Sequence, residues 1–288
     1  MEDREPTIET RDSGLGVRDT GHGNRESKIQ NRPSPIDNPK SFQVLGVRVD
    51  AVQIPEAVRL LDQWASCRTT SHFVAVTGMH GISEAQRDPT LRRILNAADL
   101  VVADGMPLVW LGRWHGYALR RRVYGPELME TFCRATGPRY RHFLYGGGPG
   151  VADRLAAVLE QRYQVRTVGS YSPPFRPLTE DEQAEVDRRV RAAAPDVVWV
   201  GLSTPKQERW MYEHRARLKV PVMVGVGAAF DFIAGTVRQA PAWMREIGLE
   251  WSFRLASEPR RLWRRYLVNG PGFVWNASME LLGVKRFE

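Results

Sequence analysis

The sequence predicts an α/β protein: a Rossmann-like, mostly parallel sheet flanked by helices, followed by a basic helical C-terminal appendage. Three observations carry that expectation. Short, unbroken, β-branched runs alternate with stretches of helical spacing. Several of those runs end directly on Gly or Pro, as strands do at the rim of a sheet. After residue 237 the composition changes to arginine, tryptophan and glutamate with no lysine as far as Arg265.

The elements follow in order. Residues 1–40 are rich in Asp, Glu, Arg, Ser, Gly, Asn and Pro with scattered apolar residues, and read as a disordered tail. A Rossmann-like domain is expected over 41–237. Val44 to Val49 opens it as a hairpin or edge strand. Buried strands are expected at Phe73 to Thr77, Leu100 to Ala103, His142 to Tyr145, Arg166 to Val168, Val197 to Gly201 and Val222 to Val226. Helical spacing falls between them at 55 to 66, 81 to 96, 126 to 136, 150 to 162, 180 to 193 and 206 to 218. The appendage, 238–288, carries seven arginines and three glutamates between Arg238 and Arg265, with Trp243, Trp251 and Trp263 interleaved. Arginine without lysine favours bidentate anion recognition, and a basic helix bearing tryptophan suits a membrane interface, the main domain or nucleic acid.

Composition narrows the function. The chain has 288 residues, 42% hydrophobic and 26% charged, enough for a sizeable core. Forty-one Lys and Arg against 33 Asp and Glu give a formal charge of +8 and a pI near 9.8, which points to anionic partners. Cys67 and Cys133 lack metal-ligand spacing and are expected as reduced thiols. There is no N-terminal apolar h-region, and the longest apolar stretch, Val220 to Ile233, falls short of the roughly 20 residues of a spanning helix. A protein neither secreted nor integral to a membrane is expected.

Four segments could carry chemistry. Asp104 ends the run Leu100 to Ala103 and is followed by Gly105, Met106 and Pro107. At the C-terminal rim of a parallel sheet it is either the cap of the next helix or a general base, and the segment alone does not choose. Gly146 to Gly150 exposes backbone N–H groups before a helix and suits a phosphate, although Val151 breaks the dinucleotide fingerprint. In Leu202 to Glu208, Thr204 is the expected N-cap, Pro205 the first helical residue, and Glu208 a first-turn acid; capping leaves Lys206 and Gln207 unexplained at the same rim. Thr77 ends another strand. His80, just beyond, reads as a base or a hydrogen-bonded loop residue. No Asp-x-Asp clip and no Gly-x-Ser-x-Gly elbow occur, so any diphosphate must be neutralised by arginine, lysine and backbone N–H groups.

Together these segments resemble the WecG/TagA/CpsF family of bacterial glycosyltransferases. The resemblance lies in RDPTLRRILNAADLVVADGMPLVW (87 to 110), RRVYGPELME (121 to 130), FLYGGGPGVADRLAAVL (143 to 159), VGLSTPKQERWM (200 to 211) and the stretch from 224 to 266, and covers roughly residues 44 to 268. It implies an inverting transferase, needing neither metal nor cofactor, that moves a sugar from a UDP-sugar to a lipid-linked acceptor at the cytoplasmic face of the cell membrane. By motif, Asp104 looks like the general base, with Thr77 and Gln207 beside it. Arg122, Arg254, Arg261 and Arg264 look like the family's functional arginines. Gly147 and Gly148 suit the nucleotide side, with Lys206 and Asp231 as further pocket residues. Where many relatives have Thr-x-Asn, this chain has Met79 in place of the asparagine. An anionic membrane surface is the expected partner of the appendage, and a homo-oligomer is compatible with this reading. The alternative is a basic nucleic-acid-binding protein using the 238–265 segment, which would have no use for Asp104. An NAD(P)-dependent enzyme is disfavoured by the broken fingerprint.

Overall fold

The structure is a computed structural model that describes residues 39–287, apart from the side chains of Arg261 and Arg265. The expected tail lies, but for its last two residues, outside the described residues. Strands β1 (Ser41–Val44) and β2 (Val47–Asp50) form the antiparallel opening hairpin. Its two-residue turn, Leu45 and Gly46, has φ of 50° and 74°, the left-handed pair that matches strand twist. The remaining strands are parallel: β3 (His72–Thr77), β4 (Leu100–Ala103), β5 (Arg141–Gly146), β6 (Arg166–Tyr171), β7 (Val197–Gly201) and β8 (Val222–Gly225). The sheet order is β1-β2-β4-β3-β8-β7-β5-β6. All four residues of β4 and of β8 are buried, which explains why these strands read as continuous apolar runs rather than alternating ones.

The helices of the domain are α1 (Ile54–Cys67), α2 (Met79–Arg87), α3 (Pro89–Asn96), α4 (Met106–Trp114), α5 (Gly125–Thr136), α6 (Val151–Tyr163), α7 (Glu180–Ala193), α8 (Lys206–Leu218) and α9 (Ala229–Ile233). The single helix expected at 81 to 96 is two, because Pro89 cannot continue α2 and the Asp88 carboxylate accepts from the Thr90 and Leu91 N–H groups to cap α3. His80 therefore stands in the first turn of α2 rather than in a loop.

Beyond residue 237 follow α10 (Ala242–Glu246), α11 (Glu250–Ser257), α12 (Pro259–Trp263), a π-helical turn at Arg264–Val268, and α13 (Asn269–Leu281). They fold back over the C-terminal rim of the sheet. Phe273 and Ala277 of α13 join the core, and Glu280 accepts from the Leu45 N–H at 2.9 Å, tying the end of α13 to the β1–β2 turn. Burial holds the Glu280 carboxyl above its ordinary range. From β3 the chain steps outward to β4 and returns beside β3 only as β8, so the C-terminal ends of β3, β4, β7 and β8 frame the crevice where ligands bind in open parallel sheets.

Candidate active site

Two cavities open along that rim. The first, about 540 Å³, is lined by Asp104, Arg122, Gln207, Glu250 and Arg254, with Met79, His80, Met106 and Trp110 among its other walls. The second, about 1330 Å³, lies toward β5 and β7 and contains Gly147, Gly148, Lys206 and Asp231. Ser203 lines both. Its φ of 64° is a left-handed conformation that a residue with a Cβ adopts at a cost of about 1 kcal/mol, so the wall between the cavities is held by its surroundings.

In the first cavity, Asp104 follows β4, and its N–H donates to the Thr77 carbonyl at 2.8 Å. The capping account does not explain it, since Gly105 occupies the N-cap position of α4. Arg122 ion-pairs with Glu250 of α11, and its guanidinium lies 4.1 Å from the centre of the Tyr124 ring. Burial acts against the charge of Arg122, but the carboxylates of Asp104 and Glu250 outweigh it and hold the guanidinium above its ordinary value. The Tyr124 hydroxyl donates to Glu250 at 3.2 Å, and burial, then Glu250 and Asp104, push its pKa up, so the phenol stays protonated. Arg254, also on α11, stacks on Phe232 at 5.5 Å and has a buried Nε with no hydrogen-bond partner in the protein.

Gln207 is buried at the start of α8. Its Nε2 donates to Glu208 at 3.1 Å, and Glu208 also accepts from the Thr204 hydroxyl at 2.8 Å. This corrects the expected cap: Pro205 is the cap residue, and Thr204 spends its hydroxyl on a fully buried Glu208 rather than on backbone. The Gln207 Oε1 has no hydrogen-bond partner in the protein. Thr77 is buried behind the cavity wall. A Cβ on Gly81 would lie 2.0 Å from its hydroxyl oxygen, so glycine is required there for α2 to approach β3.

In the second cavity, the end of β5 turns at Gly146 (φ 133°), where a Cβ would stand 2.5 Å from the Gly201 carbonyl. Only glycine fits, and the Gly147 N–H donates to that carbonyl at 3.1 Å. Asp231, on α9, accepts from the Thr236 hydroxyl at 3.2 Å.

The structure thus gathers Asp104, Gln207, Arg122 and Arg254 in one cavity, with Thr77 directly behind, and Gly147, Gly148, Lys206 and Asp231 in the other. Arg264 joins neither; it borders a separate depression with His80, Glu84 and Asn269, beside Trp263. The side chain of Arg261 lies outside the described residues. Met79 lines the first cavity against Gly270 of α13, where a Cβ would stand 3.6 Å from its Cε. Sequence reasoning passed over Glu250 and Tyr124, and treated Glu208 only as a first-turn acid. No local signal marks Glu250, which meets Arg122 across 128 residues of chain. Among the described residues no three His, Cys, Asp or Glu side chains group as metal ligands.

A parallel α/β sheet with a carboxylate among arginines at its C-terminal rim is the arrangement of a group-transfer enzyme. Residues 42–286 match the model of the glycosyl transferase WecG/TagA/CpsF family, and the chain belongs to that family. It is 30% identical over 185 residues to an N-acetylglucosaminyldiphosphoundecaprenol N-acetyl-beta-D-mannosaminyltransferase of Bacillus spizizenii, covering 64% of this chain and 70% of the relative. It is 25% identical over 251 residues to a protein of the same name from Staphylococcus aureus, covering 86% and 96%. The nucleic-acid alternative draws no support from these relatives.

Proposed function

We propose that this glycosyltransferase moves a hexose or N-acetylhexosamine from a UDP-sugar to a sugar on a polyprenyl diphosphate, with inversion and without a metal ion. The observation that carries the reading is the placement of Asp104 in one cavity with Arg122 and Arg254. In the proposed step, Asp104 accepts the proton of an acceptor hydroxyl as that oxygen attacks the anomeric carbon. The bond from that carbon to the donor diphosphate breaks, and the electron pair leaves with UDP. The leaving diphosphate needs positive charge, which Arg254 can supply, while Lys206 and the Gly148 N–H hold the donor in place. Gln207, with an unused amide oxygen in the wall of the first cavity, orients the sugar there. The names of the relatives support an N-acetylmannosamine donor and an N-acetylglucosaminyl diphosphate lipid as the first pair to try.

The helices from residue 238 on form the appendage that closes the site and, through Arg260, Arg264 and Trp263, meet an anionic membrane at the cytoplasmic face. Among the described residues no helix is long and apolar enough to cross a membrane, in keeping with peripheral association. The test is UDP release over a panel of UDP-sugars, with a polyprenyl-diphosphate N-acetylglucosamine acceptor and EDTA present. Acceptor-dependent release from one donor is the expected result. Release only when a divalent cation is restored would refute the metal-free part, and no release from any donor the whole reading.

A further inference from the structure

Helix α4 is amphipathic in an unusual sense. Leu108, Val109 and Gly112 face the core, and amphipathic helices normally present polar residues opposite such a face. Here the outward stripe is Met106, Trp110 and Trp114, at i, i+4 and i+8, with Trp110 54% and Trp114 71% exposed. The stripe is not an isolated patch. Met106 and Trp110 line the Asp104 cavity, whereas Trp114, about one helical turn further along α4, does not. The stripe therefore runs from the candidate base out to the surface over about 12 Å of helix. Leu267 and Val274 line the same cavity, are 56% and 58% exposed, and with the stripe give it an apolar channel. Large exposed apolar surface of this kind marks a binding site.

The inner and outer ends of this channel differ in chemistry: arginines beside Asp104, tryptophans at the exit. A ligand that fits both has a sugar and a diphosphate at one end and a hydrocarbon at the other. We propose that the Met106–Trp110–Trp114 stripe, faced by Leu267 and Val274, seats the first isoprene units of the acceptor's polyprenyl chain as it leaves the Asp104 cavity. This rests on the lipid-linked acceptor of the proposed function and adds the residues that choose a long-chain acceptor over a short one.

The experiment compares two acceptors with the same sugar diphosphate, one on a polyprenyl chain in detergent micelles and one on a short, water-soluble alkyl chain. Burying one tryptophan is worth about a tenfold change in affinity or more. Trp114→Ser is expected to raise KM for the polyprenyl acceptor about tenfold, with kcat for both acceptors and KM for the short-chain one unchanged; Trp114→Phe restores most of the loss. Equal losses on both acceptors, or none on either, would overturn the proposal. If the wild-type protein turns over neither acceptor, the proposed function itself fails. The channel is then tested by quenching of tryptophan fluorescence with micellar polyprenyl diphosphate, which Trp114→Ser should weaken and which an unchanged titration would refute. Two further results assign the stripe elsewhere and overturn the proposal: loss of binding of Trp114→Ser to acceptor-free anionic liposomes, or a wild-type dimer in sedimentation that Trp114→Ser dissociates.

Discussion

The Asp104 cavity and the glycine-turn groove open from the same sheet edge, share Ser203 and differ in almost everything else. The Asp104 cavity is roofed by α11 and α13, has an acid beside two arginines, and is walled by Met79, Met106 and Trp110. The groove is larger, is shaped by close backbone contact between Gly146 and Gly201, and presents Lys206, Asp231 and the Gly147–Gly148 turn. The first pairs a carboxylate with arginines and apolar walls, the second pairs a lysine with a glycine turn. On the proposed function the rim divides labour, with chemistry on the β3–β4 side and donor binding on the β5–β7 side.

The sharpest way to break this division is Asp104→Asn. Loss of a general base should lower kcat by about 10²–10⁴-fold while leaving melting temperature and UDP affinity in calorimetry unchanged. A variant that turns over normally removes Asp104 from the chemistry. Glu250→Ala comes next. It leaves the half-buried Arg122 guanidinium without its ion-pair partner on α11 and frees α11 from the rim, so a stability loss of about 2 kcal/mol and faster proteolysis beyond residue 238 are expected in urea melts and limited digestion. An intact Tm would show that α11 is held by apolar contacts alone.

Gly81→Ala forces a Cβ against the Thr77 hydroxyl and should cost about 2 kcal/mol, most of it recovered when Thr77→Ala is added. Additive losses in that double-mutant cycle would mean the two do not collide. Acid probes the groove side, where β5 carries His142, buried, accepting from the Trp199 indole at 2.9 Å, with its pKa pushed down to about 4 by burial. The unfolded imidazole titrates near 6.5. Between those values the unfolded state binds the extra proton, so stability is complete above about pH 6.5 and falls as pH drops toward 4. About 2 kcal/mol should be lost from pH 7 to pH 5, and the burial of His214, whose pKa is also lowered, adds in the same direction. His142→Phe should flatten that slope in urea melts. The smallest effect is expected from Lys206→Ala: KM for the donor up about tenfold with kcat within twofold, the mark of binding without chemistry. A fall in kcat instead would move Lys206 to the chemical side of the division.

Much of the fold was legible because its signals are local. The β4 run Leu100 to Ala103 could only be a doubly buried strand, and Gly105 with Pro107 could only break it. The same logic failed at Asp88, where Pro89 and a capping carboxylate split one periodic stretch into two helices. At Thr204 the residue type suited a cap, but its hydroxyl found the buried Glu208 instead. Of the residues that line the first cavity, Asp104, Gln207, Arg122 and Arg254 were within reach of sequence because strand ends and motif resemblance name them. Glu250 and Tyr124 were not, since a half-buried ion pair between α11 and the segment before α5 leaves no pattern in either.

The sequence by itself determined the parallel sheet, the residues at its C-terminal rim and the basic character of the final helices, because period, breakers and charge are properties of neighbouring residues. Tertiary structure alone decided which rim residues share a cavity. It separated Lys206 from Gln207, adjacent in sequence but serving opposite sides of Ser203, because successive residues of a helix point about 100° apart. It joined Arg122 to Glu250, distant in sequence, because folding α11 over the rim half-buries the guanidinium and brings a carboxylate to it.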